Sequence, residues 1–117
     1  MAFAAMTRVR YAVVHHLNAK ERLMKARWMG EIIADSDRTV ELAGYRYFPR
    51  STVRMELLNA TPKTADDLRC PHGVQFFDVA DQGRKSERAA WSYEAPKPSY
   101  AAVDHWIGFW KDVEILN

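Results

Sequence analysis

Ala26-Arg27-Trp28-Met29-Gly30-Glu31-Ile32-Ile33-Ala34 and, a few residues on, Thr39-Val40-Glu41-Leu42-Ala43-Gly44-Tyr45-Arg46-Tyr47-Phe48 settle the class of fold. In each stretch a residue-glycine pair interrupts a period-two pattern. Ala26 and Trp28 lie on one side of Met29-Gly30 and Ile32 and Ala34 on the other. Such a pair suits a tight hairpin turn, whose central residues need positive φ. Asp35-Ser36-Asp37 reads as the turn between the two hairpins. Two hairpins in so short a span argue against a helical protein and predict a mainly β domain.

Beyond Phe48, Pro49 ends the second hairpin. Ser51 is placed to cap a short helix over Thr52–Leu58, although Val53, Met55 and Leu57 also alternate as in an extended chain. Asn59 through Asp67 reads as loop. Cys70-Pro71-His72-Gly73 then forms a turn, because proline presets φ near −65° and glycine supplies a positive φ. A strand over Val74–Val79, a turn at Asp81-Gln82-Gly83-Arg84 and a strand over Arg88–Tyr93 follow. Ala95-Pro96-Lys97-Pro98 is a stiff connector, Ser99–Asp104 a helical turn, and Trp106–Trp110 with Val113–Leu116 a last hairpin over Lys111-Asp112. Residues 1–23 read as a separate N-terminal extension, an edge strand around Val9, Tyr11 and Val13 and a helical turn from Asn18. Residues 24–117 form the single domain.

A chain of 117 residues, 48% hydrophobic and 27% charged, has the makeup of one soluble globular domain with one core. Its 17 Lys and Arg against 15 Asp and Glu leave a formal charge of only +2, so nucleic acid is an unlikely partner. One cysteine excludes an internal disulfide and the paired Cys-x-x-Cys ligands of structural zinc. With no apolar stretch near the roughly 20 residues of a membrane helix and no secretory core, a cytoplasmic location without membrane association is expected.

Several groups could carry chemistry. Cys70 and His72 place a thiol two residues from an imidazole, which can make a nucleophile; a packed turn cysteine and a metal ligand are the alternatives. Glu56, if its helix faces the aromatic cluster, would have its pKa raised by burial into a useful acid-base range; an exposed carboxylate is the plainer reading. Asp35 and Asp37 have the spacing of paired Mg²⁺ carboxylates but are more simply a hydrated turn. Arg46, Arg50 and Arg54 could hold a small anion. Trp91, Tyr93, Trp106 and Trp110 read mostly as core, yet such rings also wall small-molecule pockets.

With these motifs in hand, Ala26-Arg27-Trp28-Met29-Gly30, Ile33-Ala34-Asp35-Ser36, Tyr47-Phe48-Pro49, Cys70-Pro71-His72-Gly73, Ala89-Ala90-Trp91-Ser92-Tyr93 and Phe109-Trp110 with Val113-Glu114 resemble the bacterial domain-of-unknown-function 427 family. The resemblance runs from about Met24 to Leu116. It implies a β-tent-like arrangement of antiparallel hairpins in two packed sheets with one or two short helices, a topology shared with methionine-R-sulfoxide reductases. Many relatives of that topology hold zinc through two Cys-x-x-Cys pairs; this chain has none, so neither a metal nor another cofactor is expected. The nucleotidyltransferase-like label the family sometimes bears has no supporting residues here, and no activity comes with the resemblance.

The expectation is a protein that binds a small aromatic or anionic ligand in a groove between its sheets. Tyr47, Trp91 and Tyr93 would wall the groove, and Arg54, Glu56 and His72 would supply polar contacts near Cys70. An enzyme that uses Cys70 as nucleophile or redox residue, with Glu56 and His72 assisting, is the alternative. A protein-interaction module is a third reading, and a homodimer is compatible with any of these.

Overall fold

The computed structural model describes residues 23–117. The strand and helical turn expected upstream of Met24 lie outside the described residues. Those described are mainly β: strands β1 (Met24–Trp28), β2 (Glu31–Ser36), β3 (Val40–Leu42), β4 (Tyr45–Phe48), β5 (Leu58–Ala60), β6 (Val74–Asp81), β7 (Arg84–Tyr93), β8 (Ile107–Phe109) and β9 (Glu114–Leu116), with one short helix α1 (Ala65–Arg69) and 3₁₀ turns. They form two antiparallel sheets, a three-stranded one in the order β2-β1-β9 and a six-stranded one in the order β3-β4-β8-β7-β6-β5.

The hairpins follow from their loops. Met29-Gly30, Ala43-Gly44 and Gln82-Gly83 each hold both residues at positive φ, between 50° and 88°. That twist matches the right-handed twist of the flanking strands. Other parts of the chain depart from the sequence reading. Ser51 caps no helix: 3₁₀ turns at Arg50–Thr52 and Met55–Leu57 flank an extended Val53, which bridges to Ala34. Val53, Leu57 and Leu58 still turn inward. The span expected as loop holds β5 and α1.

The expected last hairpin does not form, because its two strands enter different sheets. β8 inserts between β4 and β7, and β9 pairs with β1. Lys111-Asp112 is therefore a crossing between layers. Asp112 anchors it, accepting a hydrogen bond from Trp28 Nε1 at 3.3 Å and another from Ser86 Oγ.

The larger sheet is apolar on both faces. Phe48, Phe77, Ala90, Ile107 and Phe109 face the small sheet and pack on Trp28, Ile33, Ala34 and Val113. Trp28, Ile33, Phe48, Val79 and Ile107 are at most 1% exposed, so this interior is solid. The neighbours of opposite parity, Tyr47, Val74, Phe76 and Trp91, lie on the outer face with Val103 and form a second cluster. The outer face is roofed over part of its area by the 3₁₀ segment Pro98–Val103.

A polar knot fastens α1 to the large sheet. Thr64 and Asp67 form a reciprocal capping box, Thr64 Oγ1 accepting from the Asp67 backbone N–H at 3.1 Å and Asp67 Oδ2 accepting from that of Thr64 at 3.0 Å. Arg88, at a bulge in β7 with φ +54°, donates to both oxygens of Asp67 at 2.8 and 3.1 Å. Asp67 is only 5% exposed. The hydrogen bonds from Arg88, aided by those of Thr64, outweigh its burial and hold its carboxyl at about 2, below the ordinary 3.8.

Because the folded-state value is depressed, this stabilisation is complete above the ordinary carboxylate range and fades as pH falls through about 2. Asp67→Asn is expected to cost about 2–4 kcal/mol at neutral pH, since it leaves the guanidinium without its carboxylate. It should also flatten the dependence of stability on pH between about 4 and 2. Urea denaturation across that range checks both.

Candidate ligand site on the outer face of the large sheet

The site begins with register. Val40, Tyr47, Gly108, Trp91 and Phe76 are successive cross-strand partners on β3, β4, β8, β7 and β6, so they form one row across the outer face. Gly108 leaves a gap in that row, and its two neighbours lean into it. A Cβ at Gly108 would lie 2.8 and 2.9 Å from Trp91 Cζ2 and Cε2 and 3.0 Å from Tyr47 Cε2. Glycine within a strand here marks the close approach of two rings.

Trp91, laid down in this way, becomes the floor of a hollow of about 170 Å³ lined by Tyr45, Val74, Phe76, Trp91, Tyr93 and Trp110. Tyr45 and Trp110 stand nearly perpendicular to Trp91, at 87° and 86° with centroids 5.0 and 6.2 Å away. Phe76 is tilted at 6.3 Å. Tyr45 and Trp110 are 41% and 39% exposed and form the open rim. Trp110 is pinned by its indole N–H, which donates to the Arg88 carbonyl at 2.6 Å. The guanidinium of Arg88 lies 4.0 Å from the Phe76 ring centre, and the Lys111 ammonium 5.3 Å from that of Trp110.

Below the floor, Tyr47 meets Trp91 edge-on at 5.8 Å and lies beside Tyr93 at 6.1 Å. Burial, then interaction with the Tyr93 hydroxyl, drives the Tyr47 pKa far above its ordinary value. Burial also raises that of Tyr93, with Tyr47 working in the opposite direction. The Trp91 indole N–H slightly opposes both shifts, yet it is buried without a hydrogen-bond partner. An unpaired donor costs on the order of 1–3 kcal/mol.

The residues expected to form a site are divided by the fold. Trp91 and Tyr93 line the hollow, and Tyr47 supports it from beneath. His72 lies next to Tyr93: its ring stacks on Tyr100 at 4.1 Å and 4° and meets Tyr93 edge-on at 5.4 Å. Its Nδ1 accepts the Lys97 backbone N–H at 3.0 Å, which assigns the ring proton to Nε2. Cys70 is half-buried at the end of α1 and packs against the outer-face cluster. No hydrogen bond joins its sulfur to His72 among the described residues.

Arg54 and Glu56 are elsewhere. They pair with each other at 3.1 Å, are both exposed, and do not line the hollow. A backbone hydrogen bond and the Arg54 guanidinium lower the Glu56 pKa, opposite to the rise that burial in an acid-base site would bring. The helix expected to turn Glu56 inward is a 3₁₀ turn whose inward residue is Leu57. Arg46, Arg50 and Arg54 do not converge on an anion, since each has its own carboxylate, Glu41, Glu94 and Glu56 respectively. The hollow itself is not between the sheets, where the packing is solid. It opens on the far side of the larger one.

Tyr45 and Phe76 were missed as walls, and Gly108 as the cause of the hollow; Trp110 was named only among rings that read mostly as core. Parity alone marks Tyr45 with Tyr47 on β4. Among the described residues, no group of three or more His, Cys, Asp or Glu could hold a metal ion, and no helix is long and apolar enough to cross a membrane.

These features define a class: a mainly β protein of two antiparallel sheets with an aromatic hollow on the exposed face of the larger one. The family described as Domain of unknown function (DUF427) matches residues 16–116, and the chain belongs to it. No curated protein matches the chain.

Gly108→Ala should displace both rings and destabilise the protein by roughly 1–3 kcal/mol. The near-ultraviolet circular dichroism of the indoles should change before stability is lost, and thermal melts with such spectra test this. In alkaline titration Tyr47 and Tyr93 should stay protonated above the ordinary tyrosine value of about 10. Stability should then fall as pH rises past that value, because only the unfolded chain ionises freely there. Tyrosinate absorbance followed together with unfolding gives the readout.

Proposed function

We propose that this protein binds a small molecule by one planar ring, seated on Trp91 between Tyr45, Phe76 and Trp110. The supporting observation is the convergence of five aromatic side chains on one open hollow whose floor is rigid because Gly108 lets Trp91 lie flat. A volume of about 170 Å³ suits one aromatic or sugar ring; an apolar cavity of about 150 Å³ is enough for benzene. A whole nucleotide exceeds it, so any remainder of a larger ligand would lie outside the rim.

The apolar lining argues for binding through ring faces and edges, with polar contacts restricted to the Tyr45 and Tyr93 hydroxyls and the groups at the rim. This reading gives no part to Glu56 and needs no reaction at Cys70.

Titration of intrinsic tryptophan fluorescence with single-ring and fused two-ring compounds tests the proposal. A saturable change is expected, and Tyr45→Ala and Trp110→Ala should each weaken it roughly 3- to 10-fold, the scale of one aromatic contact. Trp110→Ala also loses its hydrogen bond to the Arg88 carbonyl, so its melting temperature should fall more than that of Tyr45→Ala, and affinity is read below both melting temperatures. Absence of a saturable change with every compound, or unchanged affinity in both variants, overturns the proposal.

A further inference from the structure

Among the described residues, no Asp or Glu lines the hollow itself. Two cations lie against its wall rings, Arg88 on Phe76 and Lys111 on Trp110. They differ in what they still have to offer. Arg88 is committed, giving two hydrogen bonds to Asp67 and its backbone N–H to Asp78. Among the described residues, Lys111 has no carboxylate partner. Its ammonium donates only to the Glu87 backbone carbonyl at 2.7 Å, while the Glu87 carboxylate is turned to Lys85 at 3.8 Å. Asp112, the next residue along, is taken by Trp28 and Ser86.

The position of Lys111 is set by the fold. It stands at φ +57° in the crossing between β8 and β9, directly after the rim residue Trp110. Its carbonyl bond and its contact with the indole hold the ammonium against the rim residue Trp110. An ammonium has three donors, and this one uses a single protein acceptor.

Resting on the ring-binding reading above, we infer that the ligand is an aromatic acid, with its ring in the hollow and its carboxylate held by Lys111. Walls at right angles also resemble the cages that take quaternary ammonium groups. Such cages attract cations, and the Lys111 ammonium against Trp110 opposes one here. At the rim, water screens the attraction, so selectivity for the anion should be modest, roughly 3- to 10-fold over a neutral ring.

Benzoate, benzamide and phenyltrimethylammonium present one ring with three charges, and their binding to the full chain can be compared by fluorescence or calorimetry. Benzoate is expected to bind tightest and phenyltrimethylammonium weakest, with the gap widening as salt is lowered. In Lys111→Met the ratio of benzoate to benzamide affinity should fall to about one. Lys111→Arg should keep it, which preserves the test if the methionine variant does not fold. Equal binding of benzoate and benzamide, a preference for phenyltrimethylammonium, or a ratio unchanged in Lys111→Met overturns this inference and leaves ring binding standing. Failure of all three compounds to bind removes ring binding as well.

Discussion

The position of one indole over one glycine is the constraint on which the outer face depends. With any side chain at position 108, the Cβ would sit within 3.0 Å of both Trp91 and Tyr47, and neither ring could keep its place. Trp91 would rise into the hollow and Tyr47 would lose its edge-on contact. The indole N–H of Trp91 remains unpaired in the interior, a penalty that packing alone must offset. A rigid ring laid flat is a suitable floor for another ring, because little further conformational freedom has to be lost when that ring arrives.

The location of the hollow follows from a sheet that is apolar on both faces. Trp28 and Ile33 of the small sheet, with Val113 of the crossing, pack on one face. The other face is covered in part by Pro98–Val103, which does not extend across all six strands. What it leaves open lies between Tyr45 and Trp110 on one side and Phe76 on the other. Arg88 links this opening to the stability of the fold. The same guanidinium that binds Asp67 lies on Phe76, and the carbonyl of Arg88 receives the Trp110 indole N–H. The capping box of α1, the bulge of β7 and two walls of the hollow are thus one connected unit.

The hairpins were legible in the chain because their causes are local: alternation of side chains and three residue-glycine pairs that must adopt positive φ. The class of fold followed from them, and the family motifs agreed with it. The capping box at Thr64 and Asp67 was also present as a local signal, hidden by prolines and threonines that read as loop. The candidate site was legible in part. Trp91 and Tyr93 were recognised from their type, and Tyr47 proved to support the floor and not to form a wall. Glu56 and Arg54 were misplaced because a helix was expected where two 3₁₀ turns leave Leu57 as the inward residue.

Period, turn chemistry and composition were enough to establish a mainly β domain with aromatic rings gathered on a few strands. They could not say which strand pairs with which. β8 and β9 read as one hairpin, yet each gains more by entering a different sheet, where Ile107, Phe109 and Val113 are buried from both sides. That choice puts Gly108 between Tyr47 and Trp91, Trp110 beside Arg88, and Lys111 against the rim residue Trp110. These neighbours are 17 to 61 residues apart in the chain, apart from Lys111 itself. Contacts of that range arise from the packing of whole sheets, and no short-range pattern of side chains encodes them.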